Sequence, residues 1–469
     1  MVRSSELICL CYDWCPNTFR IFQKPEKGKA KMEYGAWVGL GCFIGMLLFI
    51  FLGVPIFMSM IATSLVGFWL IGGSSYAFQQ FSTGPYFIIA SYSLAVIPLF
   101  ILMGILAADA KLAEGTYWAA YKWVGGLRGG LLMSTIAAGV LFGACSGSGL
   151  AMAAIFAKLA IPELDKYKYD KSISMGCIAT SAGLDALIPP SVGIIIFCVL
   201  LDQSIGRALV GGIVPGFLYA VLLMVTIWII GIFKPQAIPK SDIQVNWKEK
   251  FKTLKLIGPV LFLFILVMGG MFAGVFAPTV GGAIGSVGVI LYALVTRIKI
   301  RTLVSSFYET ALVNAQIFLL ALGGFIFARL VALSGLPNGL IKLMTDANLS
   351  PLLLMVIVCI FYLFIGCFLD FVAMAIITFP IVFPMLLKAG FDPIAMIIIL
   401  IILGNIAGIT PPIGINAFVI ASVAKVKPEE VFRGVGWFFV VSLILVWILV
   451  FIPEIVTWLP NLFYGKISP

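Results

Sequence analysis

One interrupted apolar stretch occurs twice in this chain at a fixed spacing, and it narrows the available folds more than any other feature. Residues 143–191 read GACSGSGLAMAAIFAKLAIPELDKYKYDKSISMGCIATSAGLDALIPPS. A shift of 222 positions sets Ala151-Met152-Ala153 on Ala373-Met374-Ala375, Pro162 on Pro384 and Asp170 on Asp392. The same shift sets Pro189-Pro190 on Pro411-Pro412, with no gap between. Apolar residues coincide by chance, but Pro-Pro pairs are scarce and the intervening length is identical. In a membrane protein, matching interrupted segments in two halves point to a transport site between them.

Composition places the chain in the membrane. It has 469 residues, 62% hydrophobic and 11% charged, with mean hydropathy +1.14; a soluble fold of this size cannot hide that much apolar surface. The apolar runs are unbroken, whereas strands of a membrane barrel alternate. The fold class is therefore an all-α polytopic membrane protein. The absence of histidine removes Ser-His triads and the commonest metal ligand. No Walker or Rossmann glycine pattern appears, so the reading is a non-enzyme that hydrolyses no nucleotide. Cys9, Cys11 and Cys15 lack a partner cluster, and the other cysteines fall in apolar segments as small hydrophobes.

With about 20 residues per crossing, the first half (35–232) offers spans at 36–52, 54–72 and 85–110, a basic connector at 111–128, and a span at 207–232. Residues 131–161 carry the Cys145–Gly149 interruption. Each arm is too short to cross, so the stretch predicts a re-entrant hairpin, allowed only where protein or a watery cavity covers its backbone. Residues 172–200 read as a helix broken near Gly183–Pro190. After a basic linker at 233–256, the second half (257–460) repeats the plan. It has spans at 257–275, 278–296, 312–334 and 436–452, a hairpin at 351–386 with its tip near Gly366–Asp370, and a broken helix at 394–421. Five crossings per half, an odd number, invert one half relative to the other.

The net charge of +10 is read as membrane orientation, not as nucleic-acid binding. If 232–256 is cytoplasmic, five loops on that side hold 18 of the 30 Lys and Arg, as the positive-inside tendency requires. The same parity puts the basic N-terminal tail (1–34) outside. Either residues 1–31 are foreign to the native product and Met32 is its start, which is the expectation, or the tail overrides the count of the first segments. No cleavable signal peptide is evident, and residues 461–469 form a C-terminal tail.

Breaks and hairpin tips bring unpaired carbonyls and helix ends to mid-membrane, where helix N-termini favour anions and unwound carbonyls favour small cations. The first half supplies Ser146, Gly147 and Ser148 at the tip, and Gly183, Pro189, Pro190 and Ser191 at the break. Each proline leaves a carbonyl without its usual donor. Neutral oxygens with little fixed charge suit Na+ better than divalent ions, which want several carboxylates. The second half supplies Gly366 and Asp370, then Gly404, Asn405, Gly408, Thr410, Pro411, Pro412, Gly414 and Asn416. A carboxylate at helix centre costs on the order of 3 kcal/mol, so Asp370 is expected to meet an ion or partner; otherwise it lies shallow and hydrated. Asp185 and Asp109 raise the same question with less surrounding motif, and Arg329 aligns with Asp109 in the repeat, so an ion pair between them is conceivable.

These blocks, with GLDALIPPSVGIII, GCFLDFVAMAIITFPIVFPMLLKAGFDPIA and GITPPIGINAFVIAS, resemble the large membrane subunit of tripartite ATP-independent periplasmic (TRAP) transporters over roughly residues 32–460. The resemblance implies a secondary transporter of the bacterial inner membrane with an elevator movement, driven by Na+. It implies two protein partners, a small membrane subunit and a periplasmic binding protein. The cargo it implies is an organic anion such as a C4-dicarboxylate, sugar acid or sialic acid. By motif position, one Na+ site would use Ser146–Ser148, Gly183 and Pro189–Ser191. The other would use Asp370, Gly408, Thr410, Pro411, Pro412 and Gly414. Substrate would lie near Ser148, Ser191, Thr410 and Asn416. The rival readings are a single-component Na+/dicarboxylate symporter, an anion channel and a membrane-embedded enzyme.

Overall fold

The computed structural model describes residues 25–147, 149–239, 247–369, 371–412 and 414–465. Among them the chain is helical, with no strand. The first half runs α1 (Pro25–Phe51), α2 (Ile56–Ile89), α3 (Val96–Asp109), α4 (Leu112–Val124), α5 (Gly130–Ser146), α6 (Gly149–Lys166), α7 (Lys171–Ser181), α8 (Val192–Leu200) and α9 (Ile205–Phe233). The second runs α10 (Trp247–Phe272), α11 (Pro278–Val295), α12 (Ile300–Ser334), α13 (Leu336–Asp346), α14 (Pro351–Gly366) and α15 (Phe371–Lys388). It continues with α16 (Pro393–Ala407), α17 (Ile415–Ala424), α18 (Pro428–Phe451) and α19 (Glu454–Tyr464).

By length and composition, eight described helices are able to cross a membrane, or nine if α3 and α4, bent by 64°, make one span. Five crossings per half would give about ten. The eight include α15, the 18-residue second arm of the expected hairpin 351–386, which is long enough to cross alone, and leave out the two broken helices, because α7 and α8 hold 11 and 9 residues, and α16 and α17 hold 15 and 10. Each piece alone is shorter than the hydrocarbon core.

The first half departs from its expected boundaries. The second span does not stop at residue 72; α2 continues to Ile89 through a kink at Gly73, whose φ of 82° suits a residue without Cβ. The expected span 85–110 is split at residues 90–95, where a short 3-10 turn, Tyr92–Ala95, precedes α3. In the second half the corresponding crossing is one 35-residue helix, α12, which starts at Ile300 rather than 312. The last described helix is α19, whose last carbonyls are capped by Arg207: Nη2 donates to Tyr464 O at 2.9 Å and Gly465 O at 2.7 Å.

Burial separates a core from a lipid-facing belt. Every residue from Ile394 to Leu403 on α16 is buried, the pattern of a helix enclosed on all sides. Packed against it are α8, α9, α14, α15 and α18, while α1, α2 and α9 to α12 expose large side chains such as Trp37, Trp69, Phe217, Phe262 and Leu291. Such an apolar exterior is stable only in lipid. Because lipid tails are as apolar as leucine, helices there associate through close packing and hydrogen bonds. Glycines provide the first: a Cβ on Gly176 of α7 would strike the backbone of Gly434 on α18, and one on Gly434 would strike Ser172 O. A bond of 2.6 Å between the Tyr219 hydroxyl of α9 and the Ser442 hydroxyl of α18 provides the second.

The two aspartates matched by the 222-residue shift do the same job. Asp170 Oδ1 accepts from Ile173 N and Asp392 Oδ1 from Ala395 N, both at 2.9 Å, capping α7 and α16. Each meets one orphan donor of a helix N-terminus. Asp392→Ala is expected to cost about 1 kcal/mol of stability and Asp392→Asn much less; thermal unfolding of the purified protein measures both.

Candidate transport site

Glycine and proline set the two breaks, since neither sustains a helix interior. After α7 the chain makes a 3-10 turn, Ala182–Ala186, then leaves helical geometry until Ser191, whose hydroxyl accepts from Ile194 N at 3.3 Å and so starts α8. After α16 the chain unwinds from Gly408; Gly414, with φ 45°, precedes α17. Asn416 N closes this loop on Gly408 O at 3.1 Å, and the Thr410 hydroxyl turns back to Ile406 O at 2.6 Å. The Pro189-Pro190 and Pro411-Pro412 bonds are both cis.

The hairpin tips pack onto these breaks. Gly147, at φ 59°, ends α5, and a Cβ there would stand 3.5 Å from Pro190 O and 3.2 Å from Val192 Cγ2. In the second half, Cys367 Sγ lies 3.0 Å from Pro411 O, and Gly366 is pressed against Ala407. The breaks also meet each other. A Cβ on Gly183 would lie 3.2 Å from Asn405 Cβ and 3.5 Å from its Oδ1. Asn405 Nδ2 is buried without a hydrogen-bond partner among the described residues.

Of the residues singled out in the sequence, Gly147, Gly183, Pro189, Pro190 and Ser191 thus gather at the first tip and break. Gly408, Thr410, Pro411, Pro412, Gly414 and Asn416 gather at the second. The surroundings differ: Pro189 and Pro190 are buried, whereas Pro411 and Pro412 are exposed. Ser148, Asp370 and the Ser146 side chain lie outside the described residues. Among the described residues no three His, Cys, Asp or Glu side chains cluster as divalent-metal ligands would.

Asp185 carries more weight here than the repeat gave it. It is 4% exposed, and Gly143 and Gly149 are open at Cβ to admit it: a Cβ on Gly149 would lie 3.0 Å from Asp185 Oδ1 and 3.2 Å from Ala182 O. The carboxyl therefore sits at the start of α6, beside the tip, with no ion-pair partner among the described residues. The signal was present in the sequence as a lone acid in an apolar stretch. Its partner position in the repeat is Ala407, so a symmetry argument passes over it.

The conceivable Asp109–Arg329 pair does not form. Asp109 Oδ2 accepts from the Ser306 hydroxyl at 2.6 Å. Ser306 and Arg329 lie 23 residues apart on α12, so ~35 Å of helix separates them.

The chain has clear relatives. Residues 43–455 match the family pattern described as "Tripartite ATP-independent periplasmic transporter, DctM component". The chain is 28% identical over 397 residues to the C4-dicarboxylate TRAP transporter large permease protein DctM of Vibrio cholerae, covering 80% of this chain and 87% of that one. It is 29% identical over 434 residues to the sialic acid TRAP transporter large permease protein SiaM of the same organism, covering 91% and 99%. Among solved structures it resembles the YdaH transporter of Alcanivorax borkumensis, with TM-score 0.56, 14% identity and coverage of 81% and 89%, a likeness of fold alone. Eight described helices long and apolar enough to cross a membrane, two interrupted helical segments packed against each other, and a family match across most of the length converge: the chain belongs to the TRAP transporter family as a large permease subunit, a multi-pass protein of the inner membrane.

Proposed function

We propose that this subunit imports a small organic anion together with Na+, receiving the anion from a periplasmic binding protein and working beside a small membrane subunit. The observation that carries the reading is the meeting of two tip-and-break pairs in an otherwise apolar core, with Gly183 against Asn405 between them. The relatives named above carry a C4-dicarboxylate and sialic acid; both are carboxylates, so a carboxylate is the proposed cargo.

Na+ would lie at two places. One is formed by the Ser146–Ser148 tip with Gly183, Pro189–Ser191 and the Asp185 carboxylate. The other is formed by Asp370 with Gly408, Thr410, Pro411, Pro412 and Gly414. Ser148, Ser191, Thr410 and Asn416 would then face the anion between the tips. Few fixed cations line this region, so bound Na+ and helix N-termini neutralise the anion. If Na+ charge exceeds that of the anion, each extra positive charge gains about 2.3 kcal/mol per 100 mV on moving inward.

An inverted repeat is part of the proposal and is supported by the paired caps Asp170 and Asp392 and by breaks and hairpins at one offset. We infer an elevator movement in which hairpins and broken helices travel against the long helices α2 and α12. Asp370→Asn tests the second Na+ site. It is expected to raise the Na+ needed for half-maximal uptake about tenfold, about 1.4 kcal/mol, with protein abundance unchanged. Identical Na+ curves for variant and parent would return Asp370 to a hydrated surface position.

A further inference from the structure

A cavity of about 440 Å3 stands apart from the tips and breaks, walled by α2, α12 and the far end of α8. Most of its wall is apolar, including Phe68, Leu94, Val199 and Phe325, and into this wall are set Arg329, Gln80 and Ser91. Arg329 makes no ion pair among the described residues. Gln80 is 8% exposed, and its Oε1 is buried without a hydrogen-bond partner among the described residues. The orientation of an amide is chosen by its partners, so the same group can turn its N–H bonds into the cavity. A guanidinium beside apolar walls wants a counter-charge; an unmatched amide and a hydroxyl in the same space want hydrogen bonds. The volume falls within the range of small-molecule sites.

Position gives the cavity its meaning. Val199 is eight residues along α8 from Ser191, so the cavity lies about 12 Å from the break. Its Arg329 end of α12 is the end opposite the Asp109–Ser306 contact. In the repeat alignment Arg329 falls on an acid, Asp109, so no second cationic cavity is generated by the repeat. The geometry points to a one-sided staging site, in which Arg329, Gln80 and Ser91 hold a small carboxylate between one membrane face and the tip-and-break region. Placing that face outside, where a binding protein delivers, rests on the proposed orientation with the 297–301 loop inside.

The test reads the charge of the cavity and not transport. Ala328 lines the cavity; Ala328→Cys in the full chain, reconstituted with its small subunit in phosphatidylcholine vesicles, is labelled with a sulfonate-bearing and a trimethylammonium-bearing methanethiosulfonate. Rates are corrected for the parent's own cysteines and for reactivity with a free thiol. The sulfonate reagent is expected to react about tenfold faster. The preference should survive Arg329→Lys, vanish in Arg329→Gln, and be slowed by millimolar succinate or N-acetylneuraminate. Phe325→Cys repeats the measurement if Ala328→Cys does not fold. Equal rates for the two reagents, or an unchanged preference in Arg329→Gln, would overturn the proposal. So would protection by phosphatidylglycerol vesicles and by neither carboxylate, which would assign the cavity to a lipid headgroup. A charge preference alongside Na+-independent uptake would refute the transport reading and leave the anion cavity standing.

Discussion

Replacing Asp185 with Asn is expected to raise the Na+ concentration for half-maximal uptake by at least about tenfold, while the protein still folds and reaches the membrane. The carboxyl is buried beside the first tip and has no cationic side chain among the described residues to neutralise it. A charge in that setting is retained only with a counter-ion or a helix N-terminus against it. At an effective dielectric of about 20, a monovalent cation 4 Å away interacts by about 4 kcal/mol. Desolvation offsets part of that, so a tenfold effect is the lower end. The competing role is structural: the start of α6 supplies a partial positive charge worth about 1 kcal/mol to the carboxylate. That role predicts a small loss of thermal stability in Asp185→Asn and an unaltered Na+ curve. Measuring both in one preparation decides between them.

The second large effect concerns packing. Gly434→Ala is expected to destabilise the protein by about 1–3 kcal/mol, and Gly434→Leu to prevent recovery of monodisperse protein. No flexible side chain stands in the way that could swing aside. A Cβ at 434 meets the carbonyl of Ser172, and Gly176 meets the Gly434 backbone from the other direction, so α7 and α18 must separate. Gly436, two residues on, has nothing within 4 Å of a Cβ and faces outward. Gly436→Ala is the matched control and should cost nothing, because alanine is the better helix former. Equal thermal shifts for Gly434→Ala and Gly436→Ala would show that the close crossing contributes little.

Much of the fold could be read from the sequence because its determinants are local. Pro-Pro and Gly interrupt hydrophobic runs wherever they fall, so the end of α5 at Ser146 and the breaks after α7 and α16 appear where residue type demands. What escaped was non-local. Hydropathy is blind to a bend within an apolar run, so α2 continues past its expected end through Gly73. Nor does it separate the split crossing of the first half from the continuous α12 of the second. Candidate site residues could be named where the halves match and were passed over where they differ. Asp185 has alanine as its repeat partner, and the Arg329 cavity is assembled from α2, α8 and α12, which no spacing in the chain connects. Membrane charge pairing likewise follows helix geometry rather than alignment, which is why Asp109 finds Ser306 and not Arg329.

The most direct measurement is uptake of radiolabelled carboxylates into proteoliposomes holding this chain and its small subunit, with Na+ and a periplasmic binding protein each added or withheld. Accumulation only when both are present, collapsing when K+ or choline replaces Na+, is the predicted result. Uptake of equal rate without Na+ would contradict the account at its centre, because the two tip-and-break pairs would then have no ion to hold.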